Sequence, residues 1–540
     1  MEKNRTSNRS ASIIALGLEA AEPELLEKWC NEGYLPALAS LKKQWPFLKL
    51  MSTTEVGSGA TWPSVFTGVS PAKHGIGFYH RQLKTGTYQL CKKYANQVKG
   101  TPFWIQPSKD GSKIGIFDVP VTYPDPNLNG IQIVGWGVEA PSWKKSSCPS
   151  DVIKEVTDQY GRHPLEGWYH ERPDSLQKWG DLLQKLLFGV RTKGQILKVL
   201  LTKEAWNLFF CVFPESHWGG HFFWHLMDKT HPNYDAKFAQ LYENALLDVY
   251  RELDNTVAEI LKVVPHSTVL ILSNTGMGPN YSGAHLLPEI LTRLGMAGTD
   301  PETNQQKPSL GYLLPAQRWG PYAIKKIEGI LTPQGIHHIK NLIPERVWDT
   351  WTRWILDLGN NWENSRAFSV ASDYTGLIRI NLKGREPNGL VEPGYEYDAL
   401  CEELTRELST LINLETGKQA VSKVLRVDQL YQGENLWDLP DLIVRWTGDA
   451  PIRALSSPRI GKVGGELPDK RTGAHRPYGF LLPVGEHIHP GNGIVEGSIM
   501  DIAPTILYLM GQPIPRDMDG KVLLEIIDEE FKTNNPPSYV

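Results

Sequence analysis

The chain has 540 residues, of which 41% are hydrophobic and 21% charged, and its formal net charge is −4. That length buries a substantial core and suits one large unit with inserted subdomains, and the ordinary charge balance gives no case for nucleic acid, a membrane surface or an acidic partner. Five cysteines, an odd number with no CxxC pairing, read as reduced thiols rather than a disulfide framework or a thiolate zinc knuckle.

Residues 1–11 are polar, and the apolar run from Ile13 to Leu18 is too short for a signal sequence core or a membrane span, so a cytoplasmic location is expected. The run itself reads as a buried parallel strand that delivers Glu19 at its C-terminal edge, where ligands sit in open parallel sheets. Glu19 could equally cap the helix that begins at Pro23 and is closed by Gly33. From Ser58 to Ile76, small residues, Thr61, Trp62-Pro63-Ser64 and a Thr-Gly pair describe a turn feeding a helix. Thr61 then stands at a helix start, either as a nucleophile toward a phosphoryl or sulfuryl group or simply as an N-cap.

Lys113 to Pro120 reads as another buried strand, and Cys148 to about Leu201 as a charged helical region with Trp168, Tyr169 and His170 in a loop. Leu208 to Phe213 is the next strand and runs directly into His217 and His221. Glu243 to Val264 carries a helical apolar period, and Ser267 to Leu272 is a strand ending at Asn274 and Thr275. Strand, helix and strand in repetition predict an α/β fold with a mostly parallel sheet and helices on both faces.

Residues 280–362 turn irregular and are expected to form a cap or lid inserted between core segments 12–279 and 365–525. Strands are expected at Leu377 to Leu382 and Leu442 to Trp446, and helices over Asp398 to Leu414 and Asp501 to Met510. The tails, 1–11 and 532–540, are expected to be flexible. Histidines at i and i+4, His217 and His221, converge on one helical face, a spacing common in metal sites and also in ordinary packing. A third, His475, lies on a glycine-flanked loop ahead of an apolar strand.

These motifs, in this order, resemble the type I phosphodiesterase and nucleotide pyrophosphatase family of the alkaline phosphatase superfamily, in particular its bacterial branch of phosphohydrolases or phosphomutases. The resemblance rests on Gly17-Leu18-Glu19, Thr61 to Ile76, Pro120 to Pro124, His217 to His221, Ser273 to Pro279, Ile380 to Gly389, His475-Arg476-Pro477 and Asp501 to Thr505. It implies an alkaline-phosphatase-like sandwich, a hydroxyl nucleophile at Thr61 and two metal ions. The first ion's ligands match His217, His221 and His475. The second's match Glu19, Thr61, Asn274 and Thr275, a set that has lost an imidazole and most of its negative charge.

Three imidazoles suit one divalent zinc or iron ion, whereas the second set would hold at most a weak magnesium, calcium or manganese ion. Without a second Lewis acid, two-metal phosphodiester hydrolysis should be slow or absent. The expected activity is therefore that of a mononuclear enzyme acting on a small phospho- or sulfo-ester, or on a non-standard substrate of a specialised biosynthetic pathway. A catalytically degenerate binding protein is the alternative. Arg476 could meet a substrate anion, Glu215 could orient an imidazole of the histidine pair, and Asn381, Lys383 and Arg385 could bind an anion or hold a turn.

Overall fold

Strand Ile13–Leu18 has no polar side chain and is buried throughout, as a strand covered on both faces must be. It runs through a nine-stranded sheet in the order Glu496–Ser498, Leu48–Met51, Tyr478–Val484, Thr268–Ser273, Ile13–Leu18, Leu208–Phe213, Ile114–Phe117, Gly130–Val134, Ser146–Cys148. The five strands from Thr268–Ser273 to Gly130–Val134 are mutually parallel. Their flanks pair antiparallel. The structure, a computed structural model, describes residues 12–78, 81–137, 145–166, 172–297, 362–370, 372–467, 470–491 and 496–540.

Helices cover both faces, and alternation along Leu208–Phe213 shows how. Phe210 meets Trp62 and Trp104 on one face, next to helices Thr61–Thr67 and Ile502–Leu509. Phe209 and Phe213 point the other way, toward Trp206 and toward Lys193 of helix Leu176–Lys203, which packs against helix Ala245–Val263. The expected layered α/β architecture is thus the observed one. Register Leu18↔Phe213 and Gly17↔Leu272 brings three strand ends level, so Glu19, the residues after Phe213 and Asn274 share one edge.

The expected boundaries change in the second half of the chain. Strands Ala367–Val370, Gly376–Ile380, Leu442–Trp446 and Val421–Arg426 form their own antiparallel sheet, beside a smaller one made of residues 412–464. Residues 284–293, expected in a cap, are helical and supply Leu286, Leu287, Ile290 and Leu291 to this second unit's core. The rest of the expected cap, 298–361, lies outside the described residues, as do Trp168, Tyr169, His170 and the amino-terminal tail. The carboxy-terminal tail was expected to fray; instead Ile514 and Val540 exchange backbone hydrogen bonds with residues of opposite segments, and Tyr539 bridges to Ile514.

A buried quartet of charges ties the second unit together. Asp441 accepts two hydrogen bonds from Arg385 (2.8 and 2.7 Å), one from the Ile380 N–H (2.6 Å) and one from the Tyr397 hydroxyl (2.9 Å). Glu386 accepts from Arg379 at 2.7 Å and from Arg385 at 3.0 Å. Arg385 therefore holds a turn. Asn381 takes the Tyr88 hydroxyl and donates to the Trp362 and Ser365 carbonyls, and Lys383 pairs with Glu392, so these two are structural as well.

Both units grip the loop ahead of Thr61. Val56 and Ala60 share a small apolar cluster with Leu377, Leu425 and Ile443. Glu55 forms a bidentate pair with Arg445 (2.6 and 2.7 Å), and its carbonyl accepts from Thr375 at 2.8 Å. Among the described residues no helix is long and apolar enough to cross a membrane.

Candidate metal centre

His217 and His221 lie one turn apart on helix Glu215–Met227, which starts directly after strand Leu208–Phe213. His475 comes from strand Gly473–Arg476, paired antiparallel with Gly276–Pro279 through Met277↔His475. The strand reaches the helix because residue 473 has no side chain: a Cβ there would lie 2.1 Å from the Gly220 carbonyl oxygen. The Thr472 N–H then bonds the His221 carbonyl at 2.7 Å. As a result, one ligand atom from each of His217, His221 and His475 lies within 4.8 Å of the others.

The hydrogen bonds orient these rings for ligation. His221 Nδ1 donates to the Gly473 carbonyl at 2.7 Å, so its Nε2 carries the lone pair, 2.8 Å from His217 Nε2. His475 Nδ1 is buried and has no hydrogen-bond partner. Burial, reinforced by neighbouring cationic groups including Arg471, pushes the His221 pKa well below its usual value; burial takes that of His475 down to about 4. Both imidazoles are neutral near pH 7. A three-nitrogen set with an orphaned buried ring nitrogen fits a divalent metal ion with an open position.

Thr61 stands at the start of helix Thr61–Thr67, whose Trp62 ring seats on Gly17; a Cβ on Gly17 would come within 2.8 Å of it. The Thr61 hydroxyl donates to the Ser58 carbonyl at 2.9 Å and accepts from Asn274 Nδ2 at 2.8 Å. The Ala20 N–H donates into Asn274 Oδ1 at 3.1 Å, which fixes the amide in this orientation. Glu19 links the two groups: Oε1 accepts from Trp62 Nε1 at 3.1 Å, and Oε2 lies 3.9 Å from His217 Nδ1.

The residues matched to a weak second ion make hydrogen bonds of their own. The oxygen of Asn274 is committed to Ala20, and the hydroxyl of Thr275 to the Arg476 carbonyl.

Two further expectations are corrected by direction. Glu215 does orient an imidazole, but that of His163 (3.0 Å), in a buried group where Lys193 pairs with Asp118 at 2.8 Å. Residues 215 and 217 point about 200° apart around a helix, so Glu215 cannot face the same side as His217. Arg476 follows His475 on a strand and so takes the opposite face, where it lies over Gly278 and donates to the Pro279 carbonyl at 3.2 Å. Sequence reasoning missed Arg471 and Asp373. Arg471 lowers the pKa values of both His221 and His475, and Asp373 raises that of His475. Arg471 lies four residues before His475, but the bend at Thr472 breaks the strand's alternation between them, so spacing alone did not mark it. For Asp373 there was no signal.

His74 is buried between the Ser64 hydroxyl (3.0 Å) and the Ile76 N–H (3.2 Å). Burial first, in each case, lowers the pKa values of His74 and His225 to about 3 and of His231 to about 4. Below about pH 6.5 the unfolded chain takes up protons that these folded imidazoles refuse, so stability falls as pH drops toward 4, by about 2 kcal/mol per group at pH 5. Glu22 opposes this. Its burial raises its pKa to about 7, so the folded state gains a proton, and stability, as pH falls through 7. From these four groups alone a net loss of about 4 kcal/mol between pH 7.5 and 5 is expected in urea unfolding. An unchanged midpoint would refute these protonation states.

Residues 13–444 match the sequence model of a family described as type I phosphodiesterase / nucleotide pyrophosphatase. A search of curated proteins found no match. Similar solved structures include phosphonoacetate hydrolase from Sinorhizobium meliloti 1021 in complex with phosphonoacetate, at 10% identity and TM-score 0.46, covering 93% of this chain and 95% of that one. Human ectonucleotide pyrophosphatase/phosphodiesterase 5 is 10% identical with TM-score 0.48, covering 96% of this chain and 100% of that one. A mutant of the alkaline phosphatase PafA is 13% identical with TM-score 0.47, covering 96% and 98%.

Proposed function

Since the chain belongs to the type I phosphodiesterase/nucleotide pyrophosphatase family, we propose that it is a metal-dependent hydrolase. In this reading it acts on a small phospho- or sulfo-ester through a mononuclear three-histidine centre, with Thr61 as nucleophile. The carrying observation is the convergence of His217, His221 and His475 from a helix and a distant strand. When bound there, a zinc or iron ion would supply Lewis-acid polarisation of the ester.

The chain's own residues account for the remaining roles. The Gly473 carbonyl fixes the His221 tautomer, and Glu19 sits beside both His217 and the Trp62 that follows Thr61. The Asn274 amide N–H points at Thr61 Oγ1, where it holds the hydroxyl's direction and favours negative charge developing on that oxygen. The Thr61 proton points at the Ser58 carbonyl.

A second reading, a ligand-binding family member without turnover, is favoured by the uncharged side chains of Asn274 and Thr275, which bring neither a carboxylate nor an imidazole to a second ion. Metal analysis with a hydrolysis screen over phosphomonoesters, phosphodiesters and sulfate esters separates the two readings. We expect one ion per chain and at least a ~100-fold loss of turnover in Thr61→Ala with the ion retained. Equal activity in parent and variant removes Thr61 from the reaction, and an ion without any turnover favours the second reading.

A further inference from the structure

Resting on that reading of the centre, we propose that Arg471 binds the free oxyanion of the substrate's phosphate or sulfate group and that Asp373 is the residue that positions it. Two features place Arg471 there. It lies four residues before His475, on the segment pinned to the histidine helix by the Thr472 N–H, while its own carbonyl accepts from Asn280 Nδ2 at 3.2 Å. Its side chain keeps 30% exposure, so a small anion entering from solvent can reach it.

Asp373 is what makes this arrangement specific. It belongs to the second unit, its side chain is 5% exposed, and its Oδ1 lies 3.9 Å from Arg471 Nη1. Its Oδ2 accepts the Ser58 N–H at 2.9 Å, and the carbonyl of that same Ser58 accepts the hydrogen bond of the Thr61 hydroxyl. One chain of contacts therefore runs from guanidinium to carboxylate to loop to nucleophile. The Asp373 carboxyl, which burial alone would push up, is held below its usual range by Arg471, His475 and Ser58, so the carboxylate is ionised at neutral pH. The contact with Arg471 is looser than the bidentate Glu55–Arg445 pair in the same interface, as suits a guanidinium that is steered by its partner while it engages an anion.

The test uses metal-loaded full-length protein and inorganic phosphate, with sulfate as a second probe, titrated calorimetrically against the parent, Arg471→Ala, Arg471→Lys and Asp373→Asn. Expected are a roughly 10- to 100-fold weaker phosphate Kd in Arg471→Ala and partial recovery in Arg471→Lys. Asp373→Asn should raise KM more than it lowers kcat. Metal content and thermal midpoint should match the parent in both Arg471 variants, which separates lost recognition from lost folding. Phosphate binding as tight in Arg471→Ala as in the parent overturns the proposal, and so does a metal-loaded parent that binds neither anion. A parent that binds no metal instead overturns the centre itself.

Discussion

His475→Ala is expected to leave the protein without its metal ion and without turnover. Loss of an outer hydrogen-bond partner of a ligand typically weakens metal binding by about 10- to 100-fold, so deleting one of only three nitrogen donors should exceed that upper value. The imidazole is buried with Nδ1 unpartnered, so its removal breaks no hydrogen bond of that nitrogen. The fold should persist. His225→Ala is the matched control: it sits one turn beyond His221 on the same helix, but its Nδ1 meets the Thr472 hydroxyl at 3.1 Å, outside the cluster. Competition against a chromophoric chelator reads both variants. If His475→Ala holds metal as tightly as His225→Ala, the three-histidine centre is wrong.

The largest effect on stability is expected from Asp441→Ala. Its carboxylate takes four hydrogen bonds in the second unit's interior and balances a buried set of Arg379, Arg385 and Glu386. Burial alone would raise the pKa of Asp441, but Arg385 and Arg379 hold it below the usual range, so the group is charged at neutral pH. Removing it leaves Arg385 buried with one carboxylate shared between two guanidinium groups, and breaking such a pair costs about 3–5 kcal/mol. The double variant Asp441→Leu/Arg385→Met should recover much of the loss, because a buried ion pair gains little over well-packed apolar groups. Urea midpoints decide the matter. A loss under about 1 kcal/mol for Asp441→Ala would mean that the quartet does not hold the unit.

The parts of the molecule that could be read from sequence are those whose physics is local. Ile13–Leu18, Leu208–Phe213 and Thr268–Ser273 are covered on both faces and so are written as unbroken apolar runs. His217 and His221 announced a shared face by their spacing. Glu215 and Arg476 were misdirected although helical and strand periodicity already excluded them, because proximity in sequence was given more weight than direction. The second unit was misjudged for another reason. Strands such as Ala367–Val370 and Gly376–Ile380 carry no mark of which sheet they join, and that is settled by long-range pairing. Asp373 acquires its role only when that unit docks against Ser58.

The loop from Glu55 to Ala60 is clasped from the second unit by Arg445, Thr375, Asp373 and the apolar contacts of Val56 and Ala60. A chimera that exchanged residues 367–464 for those of another relative would therefore also change the direction of the Thr61 hydroxyl. On the proposed mechanism, recognition and reactivity would shift together. Remodelling one without the other would require redesigning the clasp first.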